Sequence, residues 1–221
     1  MSRFVTGRAA VRSLRRQLRI WGALLLASLG PALALSSCST PALIASGGAT
    51  VGVAVSQERG AAAALSDNTI AVEINQRWLS YDWHIFSGVS TAVSEGRVML
   101  TGKVARDEDR DAAVKLVRQV PGVRDVYDDI IVTQDGGAID FARDTWISTQ
   151  LKTDLTFDDK VRAINYDIVT VDGTVYMLGI AQNQDEIDRI MRYARNVRYV
   201  RDVVTHIILK DDPSRHAEAQ Q

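Results

Sequence analysis

The chain has very little cysteine, since Cys38 is the only one among 221 residues. An internal disulfide is therefore impossible. Histidine is also sparse, and its three residues show no spacing typical of metal ligands. The Gly-x-Ser-x-Gly, phosphate-loop and dinucleotide-binding motifs are absent as well. These absences argue against an enzyme, and they predict that the protein uses neither a metal nor another cofactor.

Acidic residues are missing from positions 1–37, which carry six arginines. The arginines precede an apolar run, residues 20–35, that is short for a membrane span and is interrupted by glycine and proline. This pattern predicts a secretory signal peptide at residues 1–37. Arg15-Arg16 weakly resembles a twin-arginine signal, so the export route stays open. Removal of the segment changes the net charge from −1 to about −7, which disfavours nucleic acid as a partner.

The single cysteine ends the sequence Leu35-Ser36-Ser37-Cys38, which resembles the lipobox of bacterial lipoproteins. In that family the signal peptide is cut before the cysteine, which is then acylated. The resemblance therefore implies that Cys38 is the lipid-attachment site, and the alternative is an ordinary signal peptide with an incidental cysteine. Residues 38–65 are mostly small, and we predict that they form a flexible tether.

The rest of the chain consists of one module present twice, at a constant offset of 77 residues. Residues 96–102, Gly-Arg-Val-Met-Leu-Thr-Gly, return as Gly-Thr-Val-Tyr-Met-Leu-Gly at residues 173–179. Asp67 also returns, as Asp144. The register predicts two similar domains, at residues 66–134 and 138–210, followed by a disordered tail at 211–221. Because Gly136-Gly137 separates complete copies, we expect a fragment starting near Ala138 to fold alone.

Each module is predicted to run helix, strand, strand, helix, strand. Asp67 is a plausible N-cap for the first helix, on which Ile70, Ile74 and Trp78 share one face. A hairpin turn is expected at residues 94–96. The remaining predicted helices are residues 106–119, 139–155 and 183–196, and the predicted strands are residues 89–93, 97–103, 123–132, 165–171, 174–180 and 200–209.

This order, with the Gly-x-Val-x-Leu-x-Gly strand and the Val120-Pro121-Gly122-Val123 turn, resembles the BON domain, named for bacterial OsmY and nodulation proteins. The resemblance implies an α+β fold in which the helices of each domain pack on a small mixed three-stranded sheet. The second module departs from the pattern at Arg198-Tyr199, where Pro-Gly stood in the first, so its turn is expected to differ. A lipobox, a tether and two such domains together resemble dual-BON outer-membrane lipoproteins.

Trp146 is the most informative residue of the second module. On a helical wheel it lies about 140° from the stripe formed by Ile147, Leu151 and Leu155. We therefore expect an exposed indole, which suits a membrane interface. The alternatives are packing against the first domain or the hinge, and contact with a protein partner. The predicted phospholipid-binding residues are Trp146, Ile139, Arg143 and Lys152.

A basic run follows on the second module's last helix and beyond it, at Arg189, Arg192, Arg195, Arg198 and Arg201. Its arginines form either a solvated face or a contact with lipid phosphate, and the second interpretation requires that they share a surface with Trp146.

The resemblance implies a function at the cell envelope. It implies an outer-membrane protein, lipid-anchored and facing the periplasm, that binds anionic phospholipid through its second BON domain. It also implies a role in envelope integrity and at division sites. Ser39 fits this location, because aspartate after the acylated cysteine is the residue that retains enterobacterial lipoproteins in the inner membrane. The alternative function is a protein adaptor for envelope or division partners, with the lipid serving only as anchor.

Overall fold

The computed structural model describes residues 57–134 and 138–215. The first part contains α1 (Gly60–Tyr81), α2 (Trp83–Gly88), β1 (Val89–Ser94), β2 (Arg97–Val104), α3 (Asp107–Arg118) and β3 (Asp125–Val132). The second part contains α4 (Ala138–Thr156), a 3-10 turn (Ala163–Asn165), β4 (Tyr166–Val171), β5 (Thr174–Ala181), α5 (Gln184–Asn196) and β6 (Asp202–Leu209). The predicted signal peptide, Cys38 and the Gly136-Gly137 hinge lie outside the described residues. Within these two ranges, no helix is both long and apolar enough to cross a bilayer.

Each domain is a mixed three-stranded sheet covered by helices on one face. In the first sheet, β2 pairs antiparallel with β1 and parallel with β3. In the second sheet, β5 pairs antiparallel with β4 and parallel with β6, at positions that are 77 residues further along the chain. The predicted α+β fold with two copies of one module is therefore confirmed. The short helix α2 has no counterpart among the sequence predictions.

The periodic apolar stripes of the two long helices form the centre of the two cores. Ile74 and Trp78 of α1 are fully buried, and the indole Nε1 of Trp78 donates a hydrogen bond to the Ala113 carbonyl oxygen at 3.2 Å. Leu151 and Leu155 of α4 are fully buried in the second core. The helical spacing thus predicted correctly which face of each helix is buried.

Asp67 is not an N-cap, and the prediction that placed it there was wrong. Helix α1 begins at Gly60, so Asp67 lies inside it and is 3% exposed. Its carboxylate accepts hydrogen bonds from the backbone N–H groups of Glu95 and Gly96, both at 2.9 Å. Both residues have positive φ, so the carboxylate holds the tight turn between β1 and β2.

The second domain uses the same device. Asp144 of α4 accepts hydrogen bonds from the backbone N–H groups of Asp172 at 2.7 Å and Gly173 at 2.8 Å. The aspartate that recurs in the repeat therefore fixes the long helix of each domain to the hairpin turn beneath it.

The outer faces of the two sheets pack against each other. Met99 of the first sheet joins Val171, Tyr176 and Leu178 of the second in a separate apolar cluster. The buried Arg97, at the start of β2, donates hydrogen bonds to the carbonyl oxygens of His206 (3.0 Å) and Gly179 (3.1 Å), and Gly179 lies near the end of β5. The two domains are thus joined by an apolar interface as well as by the chain.

The interface has approximate two-fold symmetry. Asp129 and His206 occupy equivalent positions in the repeat and contact each other, with 2.7 Å between the carboxylate oxygen and the ring Nε2. Lys103, at the end of β2, approaches Asp172, just before β5, at 3.5 Å. Together with the Arg97 contacts, this pairing means that β2 and β5 run in opposite directions across the interface.

The structure describes the chain up to Arg215, which is past the predicted end of the second domain at residue 210. The Arg215 guanidinium forms two hydrogen bonds with the Glu95 carboxylate, at 2.8 and 2.6 Å, and these bonds raise the pKa of Arg215. Arg124 of the first domain also donates to the Ser214 carbonyl oxygen. Residues 211–215 of the predicted tail therefore form a contact between the two domains.

Candidate functional site

The exposed side of α4 results from the burial of its opposite side. Ile147, Leu151 and Leu155 fix one stripe in the core, and Trp146 lies just before that stripe. Its side chain is 44% exposed, as the helical wheel predicts for a residue off the stripe. Because Asp144 also ties the helix to the β4–β5 turn, the rotation of α4 is fixed and the indole is held at the surface.

The turn between α5 and β6 brings a second aromatic ring to the same surface. The Tyr199 ring lies 5.8 Å from the Trp146 ring, centroid to centroid, in an edge-on arrangement. Tyr199 is 48% exposed and belongs to the same domain as Trp146. The ring contact of Trp146 is thus within its own domain, which favours the expectation of an outward-facing indole over packing against the first domain.

Tyr199 adopts a backbone conformation that is unusual for tyrosine. Its φ is 72°, close to the 87° of its repeat equivalent Gly122. The same backbone hydrogen bond closes both turns, from Val123 to Val120 and from Val200 to Val197, each at 3.2 Å. The expectation that the second turn would differ is therefore wrong. The left-handed conformation costs a non-glycine residue about 1–2 kcal/mol.

Two arginines lie beside the Tyr199 ring, and a third lines a depression next to it. The guanidinium carbon of Arg198 lies 4.4 Å from the ring centroid, and that of Arg143 lies 5.9 Å from it. Arg143 and Arg201 also line a shallow depression of about 350 Å³ together with Tyr199 and Val200. We call this group the basic–aromatic cluster; its members are Arg143, Trp146, Arg198, Tyr199 and Arg201.

The cluster carries a net positive charge. Arg143 pairs with Asp140 at 2.9 Å, and Arg201 approaches Asp172 at 3.9 Å. Both pairs are partly exposed, so each is weak and leaves the arginine able to exchange its partner for another anion. The cluster therefore has three guanidinium groups and two carboxylates, next to two half-exposed rings. Such an arrangement can bind an anion at a boundary between water and an apolar phase.

The structure unites some of the predicted site residues and separates others. Arg143 and Trp146 lie in the cluster. Ile139 is 76% exposed on α4, two helical turns before Trp146 and about 20° from it around the axis. Lys152 is rotated by about 120° from Trp146 around the helix axis. It lies on the side of α4 that faces β4, where its charge attracts the carboxylate of Asp167. Lys152 therefore belongs to a different part of the surface.

The basic run is divided in the same way. Arg198 and Arg201 share a surface with Trp146, which is the condition set by the lipid-phosphate interpretation. Arg189 instead binds Asp158, at 3.1 Å, beyond the C-terminal end of α4. Sequence reasoning missed Tyr199, although the replacement of Pro-Gly by Arg-Tyr between the two copies marked the position. In the described residues, no group of three or more histidine, cysteine, aspartate or glutamate side chains is arranged to hold a metal ion.

The model of the BON domain family matches residues 66–134 and 143–211. The chain belongs to the BON-domain family. Both of its domains are therefore BON domains, and the basic–aromatic cluster lies on the second of them. The matched ranges contain both sheets and the five helices α1 to α5, apart from the first residues of α1 and α4.

Three proteins from bacteria are similar in sequence to this chain. An uncharacterized protein encoded in the gshII 5' region of Anaplasma centrale is 34% identical over 152 residues, which are 68% of this chain and 99% of that protein. The outer membrane lipoprotein DolP of Haemophilus influenzae is 29% identical over 71% of this chain and 81% of its own length. The osmotically-inducible protein Y of Escherichia coli is 27% identical over 63% of this chain and 70% of its own length.

Proposed function

We propose that this protein is a lipid-anchored protein of the outer membrane, facing the periplasm, whose second BON domain binds anionic phospholipid through the basic–aromatic cluster. The observation that carries the proposal is the half-exposed Trp146–Tyr199 pair, with Arg143 and Arg198 beside the Tyr199 ring and Arg201 in the adjoining depression. The similarity to an outer membrane lipoprotein supports the proposed location. Through this contact, the protein would support envelope integrity and act at division sites.

The charge of the chain makes a local site necessary. Without residues 1–37 the chain carries a net charge of about −7, so its overall field repels an anionic membrane. Attraction must then come from a patch in which cations outnumber carboxylates. The cluster has this composition, and its two rings provide the apolar surface that anchors a protein at the level of the headgroups.

The anchor and the cluster perform different tasks. Acylation at Cys38 would keep the protein at the membrane, while the cluster would orient the second BON domain toward lipid headgroups. The Cys38→Ala variant should leave the signal peptide uncut and move the protein out of the outer-membrane fraction. Unchanged fractionation and an unchanged mature mass in this variant would contradict the lipoprotein proposal.

Binding to vesicles by a chain that begins at residue 39 tests the cluster separately from the anchor. This chain should bind phosphatidylglycerol-containing vesicles and bind phosphatidylcholine vesicles poorly, because only the former carry a counter-charge for the arginines. Trp146→Ala should weaken binding, and Arg143→Ala should weaken it less. Thr69→Ala, at the exposed position equivalent to Trp146, and Arg118→Ala, an exposed arginine of the first domain, are the matched controls.

Equal binding by the wild type and Trp146→Ala would contradict the proposal. The protein would then act as an adaptor for envelope or division proteins, with the lipid serving only as its anchor.

A further inference from the structure

The acidic residue of each hairpin turn pairs with a cation from the other half of the chain. In the β1–β2 turn this residue is Glu95, whose carboxylate accepts two hydrogen bonds from Arg215. In the β4–β5 turn it is Asp172, whose carboxylate oxygen lies 3.5 Å from Lys103 Nζ. Glu95 and Asp172 are repeat equivalents, but the repeat equivalent of Lys103 is Ile180. The contact between Lys103 and Asp172 is therefore made on one side of the interface only.

The position of Lys103 follows from the pleat of β2. Side chains alternate along a strand, so Lys103 lies on the same face as Arg97 and Met99. Both of these residues contact the second sheet. The Lys103 side chain is only 23% exposed. Its ammonium group is thus held at the edge of the interface, beside the second domain.

Arg201 of the basic–aromatic cluster shares the carboxylate with Lys103. Its Nη1 lies 3.9 Å from Asp172 Oδ1, the same oxygen that Lys103 approaches. The backbone N–H of Arg201 donates a hydrogen bond to the Gly173 carbonyl oxygen at 2.8 Å, and a Cβ on Gly173 would lie 3.1 Å from the Arg201 Cγ and Cδ. Asp144 binds the backbone N–H of Asp172 at 2.7 Å. One carboxylate in a fixed turn therefore serves a cation of each domain.

The two cations compete for this carboxylate on unequal terms. A carboxylate attracts one cation less strongly when a second cation lies beside the same oxygen, because the second positive charge offsets part of its field. The side chain of Arg201 is 64% exposed, whereas that of Lys103 is 23% exposed. Water and salt therefore screen the Lys103 contact less than the Arg201 contact. Lys103 thus weakens the hold of Asp172 on Arg201.

We propose that Lys103 of the first BON domain is a positioning residue for anion binding by the second. By neutralising Asp172, it leaves the Arg201 guanidinium available to the phosphate of an anionic lipid. This proposal rests on the proposed function, because it concerns the charge of the same basic–aromatic cluster. It gives the first domain a role in binding that requires no lipid contact of its own.

Vesicle binding by the chain that begins at residue 39, with equal parts phosphatidylcholine and phosphatidylglycerol, tests the proposal. Lys103→Met should weaken binding by about two- to fivefold, the effect of one partly exposed ion pair. Lys103→Arg should bind as the wild type does, because it retains the charge. Lys115→Met is the matched control, since it removes the charge of an exposed lysine of α3 and should leave binding unchanged. Unchanged binding by Lys103→Met, or an equal loss in Lys115→Met, would overturn the proposal.

The Asp172→Asn variant tests whether Lys103 acts through Asp172. Asparagine tolerates the left-handed φ of 55° at this position, so the turn is retained. This variant should bind the vesicles at least as strongly as the wild type, and adding Lys103→Met to it should change binding by less than about twofold. A merely structural ion pair would instead weaken binding when either partner is removed. Weaker binding by Asp172→Asn, or an undiminished effect of Lys103→Met in its background, would overturn the proposal.

Trp146→Ala separates failure of this proposal from failure of the proposed function. If Trp146→Ala weakens binding to the same vesicles and Lys103→Met does not, only the present proposal is overturned. If Trp146→Ala binds as strongly as the wild type, the proposed function fails, and the present proposal fails with it.

Discussion

The two BON domains of this protein have the same backbone plan but different surfaces. Their strand registers correspond at an offset of 77 residues, and an aspartate of the long helix holds the hairpin turn in both. At the surface, Thr69 corresponds to Trp146, Ser66 to Arg143 and Gly122 to Tyr199. Duplication has thus preserved the residues that specify the fold and changed those that face outward. Function is best sought where equivalent positions differ.

The largest effect is expected from separating the domains. A fragment of residues 138–215 retains its own core, so we expect it to unfold cooperatively and to give dispersed amide spectra. It should nevertheless be less stable than the same domain in the intact chain. In the fragment, the side chains of Tyr176 and Leu178 no longer pack against the first sheet and become exposed to water. Full burial of such a side chain contributes about 1.5–3 kcal/mol to the free energy of unfolding.

Denaturant unfolding of the fragment and of the intact chain measures this difference. A molten fragment would mean that the two copies share one core. Equal stability would mean that the contact between the sheets contributes nothing.

The next comparison concerns two tryptophans in different environments. Trp78→Ala should lower the free energy of unfolding by about 3–5 kcal/mol, because it leaves a cavity in the first core and removes a buried hydrogen bond. Trp146→Ala should cost only about 1 kcal/mol, the contribution of one aromatic pair. Thermal or denaturant unfolding checks both values. Similar losses for the two variants would mean that Trp146 is a core residue.

The aspartates that hold the hairpin turns offer a smaller contrast. Asp67→Ala should cost about 1.5–3 kcal/mol, since it removes hydrogen bonds to a charged group and leaves Arg59 without its 3.0 Å ion pair. Asp144→Ala should cost less, because Asp144 is only partly buried. Unfolding of both variants, with Asp140→Ala as the control for loss of a surface carboxylate, tests the order. A larger loss for Asp144→Ala would contradict it.

The smallest effects are expected at the turns between the last helix and the last strand of each domain. Gly122→Ala should destabilise the first domain by about 1–2 kcal/mol, because φ is 87° and the new Cβ would lie 3.1 Å from Ile70 Cδ1. Tyr199→Gly should relieve the same backbone strain in the second domain and change its stability by at most about 1 kcal/mol, while weakening vesicle binding. A large loss of stability in Tyr199→Gly would mean that the ring has a structural role.

The repeated elements were predicted well from the sequence because two patterns are strong there: the helical spacing of apolar residues and the recurrence of residues at an offset of 77. The i, i+4, i+8 spacing of Ile70, Ile74 and Trp78 identified the buried face of α1, and the recurring glycines located the hairpins. The start of α1 was missed because Asp67 has the residue type of an N-cap. Its acceptors are used instead by a turn 28 residues away, which local sequence does not reveal.

The interface and the cluster depend on contacts between residues far apart in the chain. Met99 lies between two core residues in an apolar strand, and nothing in its spacing indicates that it faces another sheet. Tyr199 was missed for a related reason, since a left-handed tyrosine has no sequence signature beyond its replacement of a glycine in the other copy. The comparison of the two copies was the signal that could have found it.

We propose that the second BON domain binds anionic phospholipid with residues that the first domain lacks. The most direct test gives the second domain the first domain's residues, in a double variant with Trp146→Thr and Tyr199→Gly. In the chain that begins at residue 39, this variant should bind phosphatidylglycerol-containing vesicles at least about tenfold more weakly and keep its thermal transition. Unchanged binding by the double variant would contradict the claim.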